Sequence, residues 1–139
     1  GTLVIERLFA GASARVVGFD ISPDAIAITK THLRNAAIRG ARVELYNEDV
    51  LDVVGEFDKL VVNPPWGTSV GSHEENDSLY PALLTAAARL ATPDATFCVI
   101  THEIRVFELA LREQTSWRLT DQHRIFQKGH WPRLYVLRP

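Results

Sequence analysis

The spacing of apolar residues switches repeatedly between a helical and a strand period along this chain. Leu3, Val4 and Leu8 recur at helical spacing over Gly1 to Ala10, and Gly11 is placed to end that helix. The run Arg-Val-Val-Gly-Phe within Ala14 to Asp20 reads as a strand that ends on an acid. Ser22 is a good N-cap with Pro23 at the first helical position, predicting a helix to about Ile38, before Gly40. Val43 to Tyr46 is a second strand, followed by Asn47-Glu48-Asp49 and a short turn or helix from Val50 to Val54. Phe57 to Asn63 is a third strand, Gly67 to Asp77 a loop rich in small and polar residues, and Leu79 to Leu90 an Ala/Leu-rich helix. Thr96 to Thr101 predicts a buried strand, and Glu103 to Gln114 a helix with Ile104, Phe107 and Leu111 on one stripe. Trp117 to Gln127 and Trp131 to Leu137 are spaced for a hairpin across Lys128-Gly129-His130. Strands alternating with helices imply right-handed crossovers and a mostly parallel sheet, so the fold class is α/β with an antiparallel hairpin at its C-terminal edge.

Composition narrows the class without naming a function. The 139 residues fit one domain, and 46% hydrophobic with 23% charged residues exclude a disordered or fibrous chain. The apolar runs, such as Leu60-Val61-Val62 and Phe97-Cys98-Val99-Ile100, are far too short to span a bilayer, so no membrane partner is expected. The single cysteine, Cys98, rules out an internal disulfide framework and suits a reducing cytoplasm. The five histidines show no metal-ligand spacing with one another or with Cys98, and no metal is expected. The net charge of −2 is uneven: residues 1–100 carry 8 basic and 13 acidic side chains, residues 101–139 carry 7 basic and 4 acidic. The C-terminal third can therefore face a polyanion, or be a solvated face of mixed charge.

The candidate chemistry centres on Asn63-Pro64-Pro65-Trp66, placed where the third strand opens into a loop. Open α/β sheets bind ligands at such carboxyl ends. Two prolines remove two N–H donors and leave their carbonyls able to accept. An exocyclic amine on a purine is a poor nucleophile because its lone pair is delocalised into the ring. If the Asn63 side-chain oxygen and the Pro64 carbonyl each accept one amine hydrogen, the lone pair turns toward an electrophile. Trp66 would stack on the ring, worth on the order of 1–3 kcal/mol per base. Asp20, at the end of its own strand, suits both hydroxyls of a ribose; its plainer role is to help cap the helix at Ser22.

The Asn-Pro-Pro-Trp motif resembles the Asn/Asp-Pro-Pro-aromatic signature of S-adenosylmethionine-dependent methyltransferases acting on planar nitrogen. Gly1-Thr2-Leu3-Val4-Ile5-Glu6, Gly67 directly after the aromatic, and Gly129-His130-Trp131-Pro132-Arg133-Leu134-Tyr135-Val136 are similar to the catalytic domain of the THUMP-associated guanine-N2 RNA methylases. The resemblance implies a Rossmann-like methyltransferase sheet, S-adenosylmethionine as cofactor, and structured tRNA or rRNA as partner. It assigns Gly1 and Thr2 to the tail of the cofactor's Gly-rich loop, Asp20 to the ribose and Ile21 to the adenosine pocket. Asp49 would accept from the adenine amine, with the backbone N–H of Val50 at a ring nitrogen; Asn63 would serve cofactor and target alike, beside Pro64 and Trp66. It also places a first strand and most of that loop upstream of Gly1, so that 1–139 is expected to be an N-terminally incomplete catalytic domain, with an RNA-binding domain of the same protein a further partner. Three other readings remain: glutamine N5 methylation in a protein, amino-methylation of DNA, and a degenerate methyltransferase fold that only binds RNA or a partner.

Overall fold

A computed structural model describes residues 1–36, 42–65 and 73–139, with side chains in the last segment from residue 77 onward. The end of the helix expected to reach Ile38, the motif's Trp66, and residues 67–72 of the expected loop lie outside the described residues. The chain divides into two compact units, Gly1–Val53 and Val54–Pro139.

In the first unit, α1 (Thr2–Phe9) precedes β1 (Arg15–Phe19), α2 (Pro23–Asn35) and β2 (Arg42–Tyr46). The strands pair in parallel, from Arg15 opposite Arg42 to Phe19 opposite Tyr46, so α2 is the crossover between them. Its start is set by Ser22, whose hydroxyl accepts from the Ala25 N–H at 3.2 Å, with Pro23 in the first turn. Gly18 lets α1 lie close on β1: a Cβ there would stand 2.8 Å from Leu45 Cδ2 and 2.9 Å from Val4 Cγ2. This unit is thinly packed. Only Ile26, Thr29 and Val53 of its described residues are fully buried, and the second edge of β1 pairs with no strand among the described residues.

A charged cluster reinforces the β1–β2 pair. Arg15 Nε and Nη2 donate to Glu44 at 2.9 and 3.2 Å, Arg42 Nε lies 2.7 Å from the same carboxylate, and the Tyr46 hydroxyl donates to it at 2.6 Å. The Arg15 hydrogen bond, and after it that of Tyr46, hold the Glu44 carboxyl down at about 2. A depressed carboxylate stabilises above its unfolded value and loses that contribution as pH falls toward the folded one. Glu44→Gln should therefore lower the denaturation midpoint at about pH 6, and the gap to the unaltered chain should narrow as acid approaches about pH 3. Amide exchange read separately in β1 and β2 checks this; a gap independent of pH would remove the carboxylate from the explanation.

The second unit holds β3 (Phe57–Val62), α3 (His73–Leu90), β4 (Ala91–Thr101), α4 (Ile104–Arg112), β5 (Arg118–Arg124) and β6 (Arg133–Arg138). Its sheet order is β3-β4-β6-β5, with β3 parallel to β4 and both β6 pairings antiparallel. The α/β class and the C-terminal hairpin are thus as expected. Two boundaries are corrected. Residues 73–77, expected in a loop, form the first turns of α3, which carries Pro81 in its interior. Proline removes one helical hydrogen bond, yet burial of Leu83, Leu84, Ala86, Ala87 and Leu90 holds the helix through it. Strand β4 starts at Ala91 rather than Thr96, because the pairing jumps from Phe57–Ala91 to Lys59–Thr96 and lets Pro93-Asp94 bulge out of the ladder.

The core of this unit lies between β4, β6, α3 and α4. Phe107 packs 4.6 Å from the Tyr135 ring and 5.7 Å from that of Tyr80, and Phe97 lies 5.2 Å from Trp117. The polar ends of these rings are all bonded, as burial demands: Trp117 Nε1 donates to the Leu84 carbonyl at 2.9 Å, the Tyr80 hydroxyl meets Thr101 Oγ1 at 2.6 Å, and the Tyr135 hydroxyl donates to Glu108 at 3.0 Å. Desolvation raises the Tyr80 hydroxyl to about 12, so it stays neutral. Cys98 is half-buried in β4, and burial pushes its thiol up, away from the reactive thiolate. Among the described residues no helix is long and apolar enough to cross a membrane.

Candidate active site

The predicted site residues fall into two groups, one at a strand end in each unit. In the first unit, Asp20 follows β1 and Asp49 follows β2 by three residues, so both acids stand at the carboxyl edge of adjacent parallel strands. Each uses one carboxylate oxygen to fix its own turn. Asp20 Oδ1 accepts from the Ser22 N–H and Asp49 Oδ1 from the Leu51 N–H, both at 2.9 Å. The capping role of Asp20 is therefore present, and Oδ2 makes no bond to a described residue. That leaves an oriented acceptor of the kind a ribose hydroxyl needs.

Ile21, directly after Asp20, is 73% exposed, an apolar face lying open beside that carboxylate. Val50 is half-buried in the turn that Asp49 begins, where the Asp52 N–H also donates to the Asp49 carbonyl at 3.0 Å. Gly1 is the N-cap of α1 and Thr2 its first residue, both exposed. An added Cβ on Gly1 would fall within 2.2 Å of Thr29 Oγ1, so the start of α1 abuts α2. Sequence reasoning missed Asn47, which it took as part of a polar turn. Its Nδ2 donates to the Asp20 carbonyl at 2.9 Å, and the Asp20 N–H donates to the Tyr46 carbonyl at 3.2 Å. Asn47 thereby locks the ends of β1 and β2 together and sets the two acids relative to each other. An amide directly after a parallel strand, one strand over from an acid at the same level, is the signal that points to it.

In the second unit, β3 ends at Val62, opposite Val99 of β4, and the chain leaves the sheet through Asn63, Pro64 and Pro65. Asn63 is exposed and Pro64 after it is buried, so this exposed residue stands on a backbone that the prolines keep from swinging freely. Trp66, the predicted stacking face, is outside the described residues.

Residues 3–133 match the family described as UPF0020: RMKL-like, methyltransferase domain. The chain belongs to this family. A methyltransferase domain of this kind takes S-adenosylmethionine as its methyl donor. The methyltransferase domain is 31% identical over 111 residues to the tRNA1(Val) (adenine(37)-N6)-methyltransferase of Pectobacterium carotovorum, covering 69% of this chain and 44% of that protein. It is 31% identical over 83 residues to the tRNA (guanine(6)-N2)-methyltransferase of Archaeoglobus fulgidus, covering 58% of this chain and 21% of that protein. The domain thus spans less than half the length of either relative. Among solved structures, TrmN from Thermus thermophilus superposes with a TM-score of 0.85 at 22% identity, over 99% of this chain and 40% of that one. That likeness establishes the Rossmann-like methyltransferase fold.

Proposed function

We propose that the domain transfers a methyl group from S-adenosylmethionine to an exocyclic amine of a nucleobase in RNA, with guanine N2 of tRNA or rRNA the favoured acceptor. The observation that carries this reading is the surface-exposed Asn63 backed by the buried Pro64 at the carboxyl end of β3. When bound, the cofactor supplies an electrophilic sulfonium methyl. Asp20 holds the ribose through the oxygen that Ser22 does not use, Asp49 and the Val50 N–H serve the adenine, and Ile21 covers its face. Gly1 and Thr2 belong to the methionine end.

At the acceptor, the Asn63 side-chain oxygen and the Pro64 carbonyl each take one N–H of the amine and turn its lone pair out of conjugation. Trp66 stacks on the base. The work is positioning rather than base catalysis, since the amine can lose its proton after the new bond has formed. A base within a duplex has first to be flipped out. The net positive C-terminal third favours RNA over a protein acceptor, and both curated relatives described above are named for tRNA. One is an adenine-N6 enzyme, and the Asn-Pro-Pro chemistry suits either amine, so nucleoside analysis of the methylated RNA decides between them.

The edge of β1 that pairs with no strand among the described residues is the place for a further strand, of the kind that the resemblance supplies together with the Gly-rich loop. A cytoplasmic setting goes with the tRNA or rRNA substrate. The test is calorimetric titration with S-adenosylmethionine of the 139-residue chain and of a form extended upstream, followed by methyl incorporation into a tRNA transcript. Asp20→Asn keeps the acceptor for Ser22 while losing the charge, and should weaken cofactor binding about 10- to 100-fold, as Asp20→Ala should. Wild-type affinity in Asp20→Asn would leave Asp20 only its capping role. Absence of binding by both chain lengths would overturn the enzymatic reading.

A further inference from the structure

The β5–β6 hairpin ends in a tight turn. Gln127 and His130 exchange backbone hydrogen bonds of 3.0 and 2.9 Å across Lys128 and Gly129, both at positive φ, 48° and 84°. This is a type I′ turn, whose twist matches the strands it joins, and it fixes the residues beside it. Among those, Phe126 and Trp131 lie with ring centroids 4.9 Å apart, yet are 62% and 45% exposed. Arg124 places its guanidinium carbon 4.3 Å over the Trp131 ring, and His130 meets His102 edge-on at 5.3 Å.

Of the seven basic side chains of the C-terminal third, Arg118 is exposed at the end of β5 away from the tip, and the other six fall into two groups. Arg133 is paired with Glu108 at 2.6 Å, Arg138 donates to the Asp94 carbonyl, and Arg112 to the Glu108 carbonyl. Lys128 and Arg124 stay exposed at the tip, and Arg105 stays exposed in the first turn of α4. Asp121, the nearby carboxylate of β5, lies 3.0 Å from His123 Nε2.

Register places this tip at the functional end of its own sheet. Arg133 lies opposite Thr101, the last residue of β4, and Val62, the last residue of β3, lies opposite Val99. Residues 125–132 therefore project past the carboxyl ends of β3 and β4, the end from which Asn63, Pro64 and Pro65 emerge. At the usual strand spacing β6 is about 10 Å from β3.

We infer that the hairpin tip is a docking surface for unpaired RNA nucleotides next to the base being methylated, with bases stacking on Phe126 and Trp131 and phosphates meeting Lys128, Arg124 and Arg105. Exposed rings on a rigid turn, beside cations that pair with no carboxylate among the described residues, are the combination by which proteins hold single-stranded RNA. The inference deepens the RNA reading above and rests on it.

Fluorescence anisotropy of the full chain with a labelled single-stranded oligoribonucleotide, and with the same sequence as a blunt duplex, tests it. Trp131→Ala and Phe126→Ala should each weaken single-strand binding about tenfold, and Trp131→Phe should keep most of the affinity. Lys128→Ala should reduce the slope of log affinity against log salt by about 0.7. Cofactor affinity and the thermal midpoint should stay at wild-type values in these variants. Unchanged single-strand affinity in both alanine variants overturns the inference while leaving the RNA reading intact. Equal duplex and single-strand binding that Trp131→Ala does not move reduces the tip to phosphate contact and overturns the stacking. Loss of affinity for a protein substrate alone would assign the tip to a protein partner. A wild-type chain that binds neither RNA form sinks the RNA reading together with the inference.

Discussion

Asn63→Ala should lower the rate of methyl transfer about 10²- to 10³-fold, the usual cost of losing one positioned hydrogen bond at a reacting centre. The effect belongs in the chemical step. Asn63 sits at the end of β3 on a backbone held by the buried Pro64, so its replacement changes what is presented to the amine. Cofactor affinity should change far less than the rate. Asn63→Asp keeps an acceptor oxygen in nearly the same place and should retain more activity than the alanine variant. Single-turnover transfer to a tRNA transcript, at saturating cofactor, separates the two terms. A rate within about threefold of wild type in Asn63→Ala would move the orienting role to another group.

Phe107→Ala should destabilise the second unit by about 3–5 kcal/mol. Phe107 has no exposed surface and stands between the rings of Tyr80 and Tyr135, so its removal opens a cavity under three elements at once. Neither tyrosine can swing in to fill it. The Tyr80 hydroxyl is tied to Thr101 and that of Tyr135 to Glu108, and Glu108 is itself held by Arg133. Against a typical total of about 5–15 kcal/mol, such a loss is a large share of the stability. Urea denaturation followed by Trp117 fluorescence measures it, since Trp117 is buried in the same unit. A loss below about 1 kcal/mol would mean that α4 does not pack on β6 through this side chain.

What could be read from the sequence was what local rules control. The Ser22-Pro23 start of α2 and the Lys128-Gly129 turn are short-range devices, and both stand where their residues put them. The placement of Asp20, Asp49 and Asn63 at carboxyl strand ends followed from strand length and the α/β alternation. Features decided by distant partners stayed hidden. Pro93-Asp94 reads locally as a turn before a strand, whereas pairing with Phe57 and Lys59 makes it a bulge within β4. The polar residues 73–77 read as the end of a loop before Leu79, whereas α3 begins at His73 and runs through Pro81, held by burial of the apolar residues after it. The bond from Asn47 to the Asp20 carbonyl spans 27 residues, and the Glu44 cluster joins Arg15, Arg42 and Tyr46 from two strands. No window of adjacent residues holds such pairs.

The order β3-β4-β6-β5 seats β6, the latest of these four strands in sequence, in the interior of its sheet, with β4 on one side and β5 on the other. While the polypeptide is being synthesised, residues 118–124 therefore have no neighbour to pair with until residues 133–138 have cleared the ribosome, and the inner edge of β4 stays bare for equally long. Closure of this half therefore waits for residues 133–138, however early its other strands and helices form. A nascent chain stalled before Arg133 would expose two strand edges at once, the state in which chaperone capture or aggregation competes with folding.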